Sequence, residues 1–223
     1  VHGKRREPSN PAWEVAQSHG LPVLMPEDVN SEPSRRELGA LQPDLLVVCD
    51  YGQILSAKVL QLSRLGGINL HGSLLPKYRG WVPVNWAIIH GEKETGVSLH
   101  RMEIKPDAGN LLAQRAVPIL RNDTAFDVFQ KLKCAAESLL METVPAMLEG
   151  RISEAPLELD KGSDFSGWKP EDGRIDWRQP ARAIHNLLSA VAPPLPRPKC
   201  DAGPQRDQLR GSERRRAAAR PGL

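Results

Sequence analysis

No apolar run in the 223 residues approaches the ~20 that a membrane-spanning helix needs. The opening stretch, Val1 to Asn10, is basic and polar and has no apolar signal-peptide core. These two absences set the expectation of a cytoplasmic protein that does not enter a membrane. Cysteine is scarce: Cys49, Cys134 and Cys200 are odd in number and far apart, with no Cys-x-x-Cys pair and no Cys/His cluster. That pattern suggests neither a disulfide framework nor a zinc site. No internal repeat is present either.

What is there is ordinary globular composition, 40% hydrophobic and 26% charged, in a length that suits one domain with a small appendage. Net charge is only +3, but the positives are uneven. Lys4, Arg5 and Arg6 cluster at one end, and seven arginines follow Val191 at the other. From Ala192 onward there are six prolines and no aromatic, isoleucine or valine, a composition that cannot bury enough apolar surface to fold alone.

Hydrophobic patterning between the two ends alternates strand with helix. Pro11 to His19 reads as a helix stopped by Gly20, Leu21 to Leu24 as a short strand, and Arg35 to Leu41 as a second helix. Leu45 to Cys49 is apolar on both faces, as in a central parallel strand. Ser56 caps a helix to Leu62, and Ile68-Asn69-Leu70 is a strand that enters a loop. Thr95 to Met102 and Leu111 to Val117 are further strands. Ala125 to Leu148 is a long amphipathic helix ending at Gly150, and Pro180 to Val191 is a short one. The alternation predicts an α/β fold, a mostly parallel sheet with helices on both faces.

The chemistry concentrates between Ile68 and Gly109. Asn69 and His71 stand two apart at the C-terminal end of a strand, so their side chains share a face. In an open α/β sheet, ligands bind at that end. Transfer of an amide-type group requires a donor for the developing oxyanion, a group to manage the amine proton, and a carboxylate to orient the imidazole. Asn69, His71 and Asp107 are of those types. An Asn donor lowers such a barrier by roughly 3 to 4 kcal/mol, and a carboxylate beside the ring is expected to raise the histidine pKa. Taken one at a time these residues have blander readings. Asn-x-His suits an ordinary loop, Asp107 before Ala108-Gly109 suits a turn, and Ser73 suits a cap.

Taken in order they resemble the formyltransferase family that uses 10-formyltetrahydrofolate, with its pattern Asn-x-His-x-Ser-Leu-Leu-Pro, Arg-Gly, Gly-x-x-x-Thr-Gly and Asp-x-Gly. Here these are Asn69 to Pro76, Arg79-Gly80, Gly91 to Gly96, and Asp107 to Gly109. The resemblance implies a Rossmann-like formyltransferase domain with Asn69, His71 and Asp107 as the catalytic trio. It also implies a folate loop formed by Ser73, Leu74, Leu75 and Pro76, with 10-formyltetrahydrofolate as formyl donor and no metal.

For the acceptor, Gly72 replaces the proline typical of the purine-pathway and hydrolase members. Gly3-Lys4-Arg5-Arg6 resembles the end of the basic loop that meets the acceptor stem in members acting on methionyl-tRNA, so Lys4, Arg5 and Arg6 are expected to contact that substrate. Val48 to Leu55 leans the same way. Val84-Asn85-Trp86, Leu99 to Met102, Pro106 to Gly109 and Lys169 to Trp177 resemble instead the members that formylate UDP-aminoarabinose. Initiator methionyl-tRNA ranks first as acceptor and a UDP-amino sugar second. A third reading, of another class, is a non-catalytic nucleic-acid-binding protein that uses the arginine-rich end.

The expected organisation is a catalytic domain over 1–150 lacking the family's usual N-terminal strand, then a connecting segment and start of a C-terminal region over 151–191. Residues 192–223 are expected to be a disordered, aberrant tail, because the resemblance stops near Pro194.

Overall fold

The alternation Ile68, Leu70 against Asn69, His71 sorts strand β2 (Gly67–His71) into an apolar and a polar face. A computed structural model describes residues 11–193 and builds both faces into the sheet. β2 lies between β1 (Leu46–Cys49) and β4 (Glu94–Arg101), and β5 (Leu111–Pro118) follows, giving the order β1-β2-β4-β5. Leu70 stands opposite Leu99 on the apolar face. There, with Ile68 and Val97, they meet α4 (Pro83–Ile89) through Val84 and Ile88. They also meet α5 (Ala125–Leu148) through Val128, Leu132, Ala135 and Leu139, whose spacing of three or four places them on one side of a helix. The last helix, α6 (Ala181–Ala190), joins this layer, where Asn85 Nδ2 donates to Ala190 O at 2.6 Å.

A second cluster covers β1 on the opposite face. Leu46 and Val48 pack with Val29, Leu55, Leu38 of α2 (Glu32–Ala40), and Val59 of α3 (Ala57–Leu60). Helices on both faces of an α/β sheet are thus as expected.

The pairing differs in detail from a mostly parallel sheet. Among the described residues β1–β2 is parallel, whereas β2–β4 and β4–β5 are antiparallel. Residues 102–110 join β4 to β5 with no helical crossover, a connection open only to antiparallel neighbours. Leu45 to Cys49, expected as a central strand, is an edge strand of the described sheet, with Val47 half exposed. Leu21 to Leu24 forms no ladder.

Helix α1 (Pro11–Ser18) ends before Gly20 (φ 65°), and α5 spans the predicted residues behind a capping box of Thr124 and Asp127. Pro180 is the N-cap of α6 rather than its first helical residue. The loose stretch after Gly150 packs back on the domain: Leu111 bridges to Ala155, and β6 (Asp164–Phe165) forms a two-residue parallel ladder with β3 (Arg79–Gly80). Among the described residues no helix is long and apolar enough to cross a membrane.

Candidate active site

Two elements bring the expected trio together. β2 supplies Asn69 and His71 on its polar face, and the loop after β4 returns Asp107 to them across 38 positions of sequence. Asp107 adopts a left-handed backbone (φ 52°), a conformation that aspartate tolerates better than most residues. Its carboxylate is nearly buried and gathers donors. Gly80 N–H donates to Oδ2 at 2.9 Å, Asn69 Nδ2 to Oδ1 at 3.4 Å, and His71 Nδ1 lies 3.6 Å from Oδ2.

His71 is buried, and its Nε2 lies 2.8 Å from Tyr78 O. A carbonyl only accepts, so Nε2 carries the proton and Nδ1 of the neutral ring is the free base beside Asp107. Burial lowers the His71 pKa from its ordinary value and outweighs the opposing pull of Asp107. The expected rise is therefore reversed: desolvation of a cation here exceeds the carboxylate's attraction across 3.6 Å. For Asp107 burial acts upward, but the adjoining His100 and His71 rings and the Gly80 N–H together hold its carboxyl below the usual value.

His100 is the residue that sequence reasoning missed. It faces Asn69 across the β2–β4 ladder and is 1% exposed. Its Nδ1 donates to Arg101 O at 2.7 Å, which leaves Nε2 of the neutral ring to accept from Asn69 Nδ2 at 3.2 Å. Nε2 is also 3.4 Å from Asp107 Oδ1. The period-2 alternation of β4 was the available signal, since it puts Ser98 and His100 on one face.

The loop of Ser73, Leu74, Leu75 and Pro76 is held from inside. Ser73 is fully buried, and its hydroxyl donates to Lys77 O at 2.6 Å. Ser98 Oγ donates to Ser73 O at 2.6 Å and accepts from Leu75 N at 3.0 Å, and Gln114 Nε2 donates to Leu75 O at 2.9 Å. Leu75 is buried, so Leu74 and Pro76 are the members with surface to offer. All but Ser73 border a cavity of about 470 Å³ whose lining includes Tyr78, Leu111 and Leu157 and the charged Lys77, Glu92 and Lys161, and which does not reach Asn69, His71 or Asp107. Beside Asn69 the polar face continues into partly buried Val48, Tyr51 and Met102, Val48 being its direct neighbour on β1. Lys4, Arg5 and Arg6 lie outside the described residues, as does the tail from Pro194 onward.

An α/β sheet that presents a donor amide, a neutral imidazole and an ionised carboxylate at one strand end holds together the group types that acyl-type transfer onto an amine uses. Residues 2–144 match the family described as formyl transferase, and residues 168–213 match the formyl transferase C-terminal domain, a match that crosses Pro194. The chain belongs to the formyl transferase family.

It is 42% identical over 183 residues to a methionyl-tRNA formyltransferase of Enterococcus faecalis, a match covering 82% of this chain and 58% of that protein. It is 40% identical over 186 residues to one of Lactiplantibacillus plantarum, covering 83% and 59%. The chain therefore spans less than two thirds of the length of these relatives. Among solved structures, a sugar N-formyltransferase from a Shewanella species superposes with a TM-score of 0.67 at 25% identity, covering 82% of this chain and 72% of that one.

Proposed function

We propose that this chain carries the site that moves the formyl group of 10-formyltetrahydrofolate onto the amino group of methionyl-tRNA. The supporting observation is the convergence of Asn69 and His71 on the buried Asp107 carboxylate, in a chain 42% identical to a protein named for that activity.

The residues present fit a folate donor. Val48, Tyr51 and Met102 make an apolar floor beside Asn69 that suits a flat ring, with polar groups at one edge to orient it. Ser73 and Leu75 act from inside by fixing the loop, and Leu74 and Pro76 remain as its contacts for the donor. Bound 10-formyltetrahydrofolate supplies the formyl carbon.

The chain supplies the rest. An Asn69 N–H, now shared between His100 and Asp107, turns to the formyl oxygen where negative charge builds. Such a donor contributes ~3 to 4 kcal/mol to lowering the barrier. His71 Nδ1 receives the proton of the attacking amine while Nε2–H stays on Tyr78 O, and Asp107 stabilises the resulting imidazolium. His71 then passes that proton to the donor's nitrogen as its bond to the formyl carbon breaks, so that tetrahydrofolate leaves. Lys4, Arg5 and Arg6 hold the acceptor stem through its phosphates in this reading. No step calls for a metal.

The solved sugar N-formyltransferase at 25% identity favours a second acceptor class, an amino sugar on a nucleotide. Offering methionyl-tRNA and UDP-aminoarabinose in parallel with 10-formyltetrahydrofolate, and His71→Ala as control, decides between them. Formyl-methionyl-tRNA from the wild type and none from the variant is the expected result. Formylated sugar alone would move the acceptor to the second class, and salt-sensitive RNA binding with no transfer would favour a non-catalytic protein.

A further inference from the structure

Tyr78 and Gly80, the neighbours of Arg79 on either side, touch both members of the catalytic pair through their backbone. Tyr78 O takes the His71 Nε2 proton at 2.8 Å, and Gly80 N–H reaches Asp107 Oδ2 at 2.9 Å. The placement of these three residues therefore sets the His71 ring and the Asp107 carboxylate together. What places them is a segment outside both family matches, which end at residue 144 and resume at 168.

That segment is 159–165. Arg79 is buried, and its guanidinium forks onto Asp164, with Nε to Oδ1 at 3.0 Å and Nη2 to Oδ2 at 2.5 Å. Nη1 donates to Leu159 O at 3.1 Å and to Pro76 O at 3.3 Å, so one side chain ties the motif loop to the later segment. The backbones are stitched as well: Arg79 N to Ser163 O at 2.8 Å, Tyr78 N to Ser163 Oγ at 2.9 Å, and Trp81 N to Phe165 O at 3.0 Å. The fit is closed. A Cβ on Gly80 (φ 93°) would stand 2.2 Å from Phe165 O, and one on Gly162 would stand 2.2 Å from Pro76 O. Phe165 stacks on Tyr78 at 5.3 Å and on Trp86 at 4.9 Å, anchoring the segment to α4.

The geometry points to Arg79 as a positioning residue whose ion pair with Asp164 aligns His71 with Asp107. A planar bidentate fork holds both distance and angle, which a single contact between flexible chains does not. The connecting segment is on this account part of the catalytic apparatus. The catalytic half of the inference rests on the formyl-transfer reading, whereas the clamp itself is a property of the fold.

The test uses the full chain, ¹⁵N-labelled, as wild type, Asp164→Asn, Asp164→Glu and Arg79→Lys, with the exposed Arg178→Gln as a control. The buried His71 Nε2–H gives a slowly exchanging ring signal in the wild type. The expected result for Asp164→Asn is exchange at least tenfold faster and kcat at least tenfold lower, with KM for 10-formyltetrahydrofolate within twofold. Asp164→Glu restores part of both. Arg79→Lys, which keeps the charge without the fork, repeats the losses and serves if Asp164→Asn does not fold. An unchanged ring signal in a folded variant, or a lost signal with full kcat, would overturn the proposal. A wild type that transfers no formyl group would fault the functional reading instead, and the ring exchange rates would still decide the clamp.

Discussion

Asn69 and His100 stand directly opposite each other in the antiparallel β2–β4 ladder, and their side chains meet with Asn69 Nδ2 at 3.2 Å from His100 Nε2. The contact orients the Asn69 amide, whose Nδ2–H is shared between the ring and Asp107. His100 is in turn fixed by its bond to Arg101 O. Replacing His100 by leucine keeps the bulk and deletes the acceptor. The expected cost is about 1–3 kcal/mol of stability from the unpaired amide. A fall in kcat of about tenfold, or ~1.4 kcal/mol, is expected with it, at unchanged KM for the folate. Chemical denaturation and steady-state kinetics read the two, and a variant with wild-type kcat would show that Asn69 needs no such partner.

Acid should weaken this protein through His71 before Asp107. Burial depresses the His71 pKa in the folded state, so below about 6.5 the unfolded chain binds a proton that the folded chain refuses, and stability falls as pH falls. Asp107 has the same sign, with its window beginning near 3.8 and running downward. Midpoints of thermal unfolding measured from pH 8 to pH 4 should drop below pH 6.5, and His71→Asn should flatten that part of the curve. A wild type more stable at pH 5 than at pH 7 would contradict a neutral buried His71.

Much of this arrangement is legible in the sequence, and the rest is lost for definable reasons. The apolar stripe of α5 and the alternation in β2 and β4 are strong periodic signals, so those elements sit where the pattern predicts. Asn69 and His71 share a face by strand geometry alone. Asp107 does not announce itself: 38 residues separate it from Asn69, and only the resemblance to a family joins them. His100 depends on register, which is a tertiary property, and β3 and β6 are too short to carry a period. Helix α4 escapes because it begins at Pro83 behind Val82 (φ 48°), with none of the side-chain caps that usually mark a start.

Ser98 holds the motif loop from beneath. Its hydroxyl donates to Ser73 O and accepts from both Leu75 N and Gln114 Nε2, all within 3.0 Å, in a fully buried place. Ser98→Ala strands the Leu75 N–H and the Ser73 carbonyl at once and leaves Gln114 Nε2 with Leu75 O. The expected loss is about 1–3 kcal/mol for each group left without a partner. The denaturation midpoint should shift accordingly, and an unchanged midpoint would mean that the loop re-pairs elsewhere.

Asp107 separates charge from shape. Asp107→Asn keeps the size and an acceptor oxygen for Gly80 N–H, now 2.9 Å from the carboxylate, but it removes the negative charge that faces His71 Nδ1. If that charge serves to stabilise a proton arriving on Nδ1, the loss falls on the step in which the amine gives up its proton. The expected effect is a drop in kcat on the order of 10² to 10⁴, the range that positioned proton transfer contributes. Binding of the folate, read by titration calorimetry, should stay within a few-fold because the apolar surface of Val48, Tyr51 and Met102, the proposed seat of its ring, is untouched. A variant that binds the folate as before and transfers formyl at the wild-type rate would remove Asp107 from the proton path and leave it only the task of holding Gly80 and Asn69 in place.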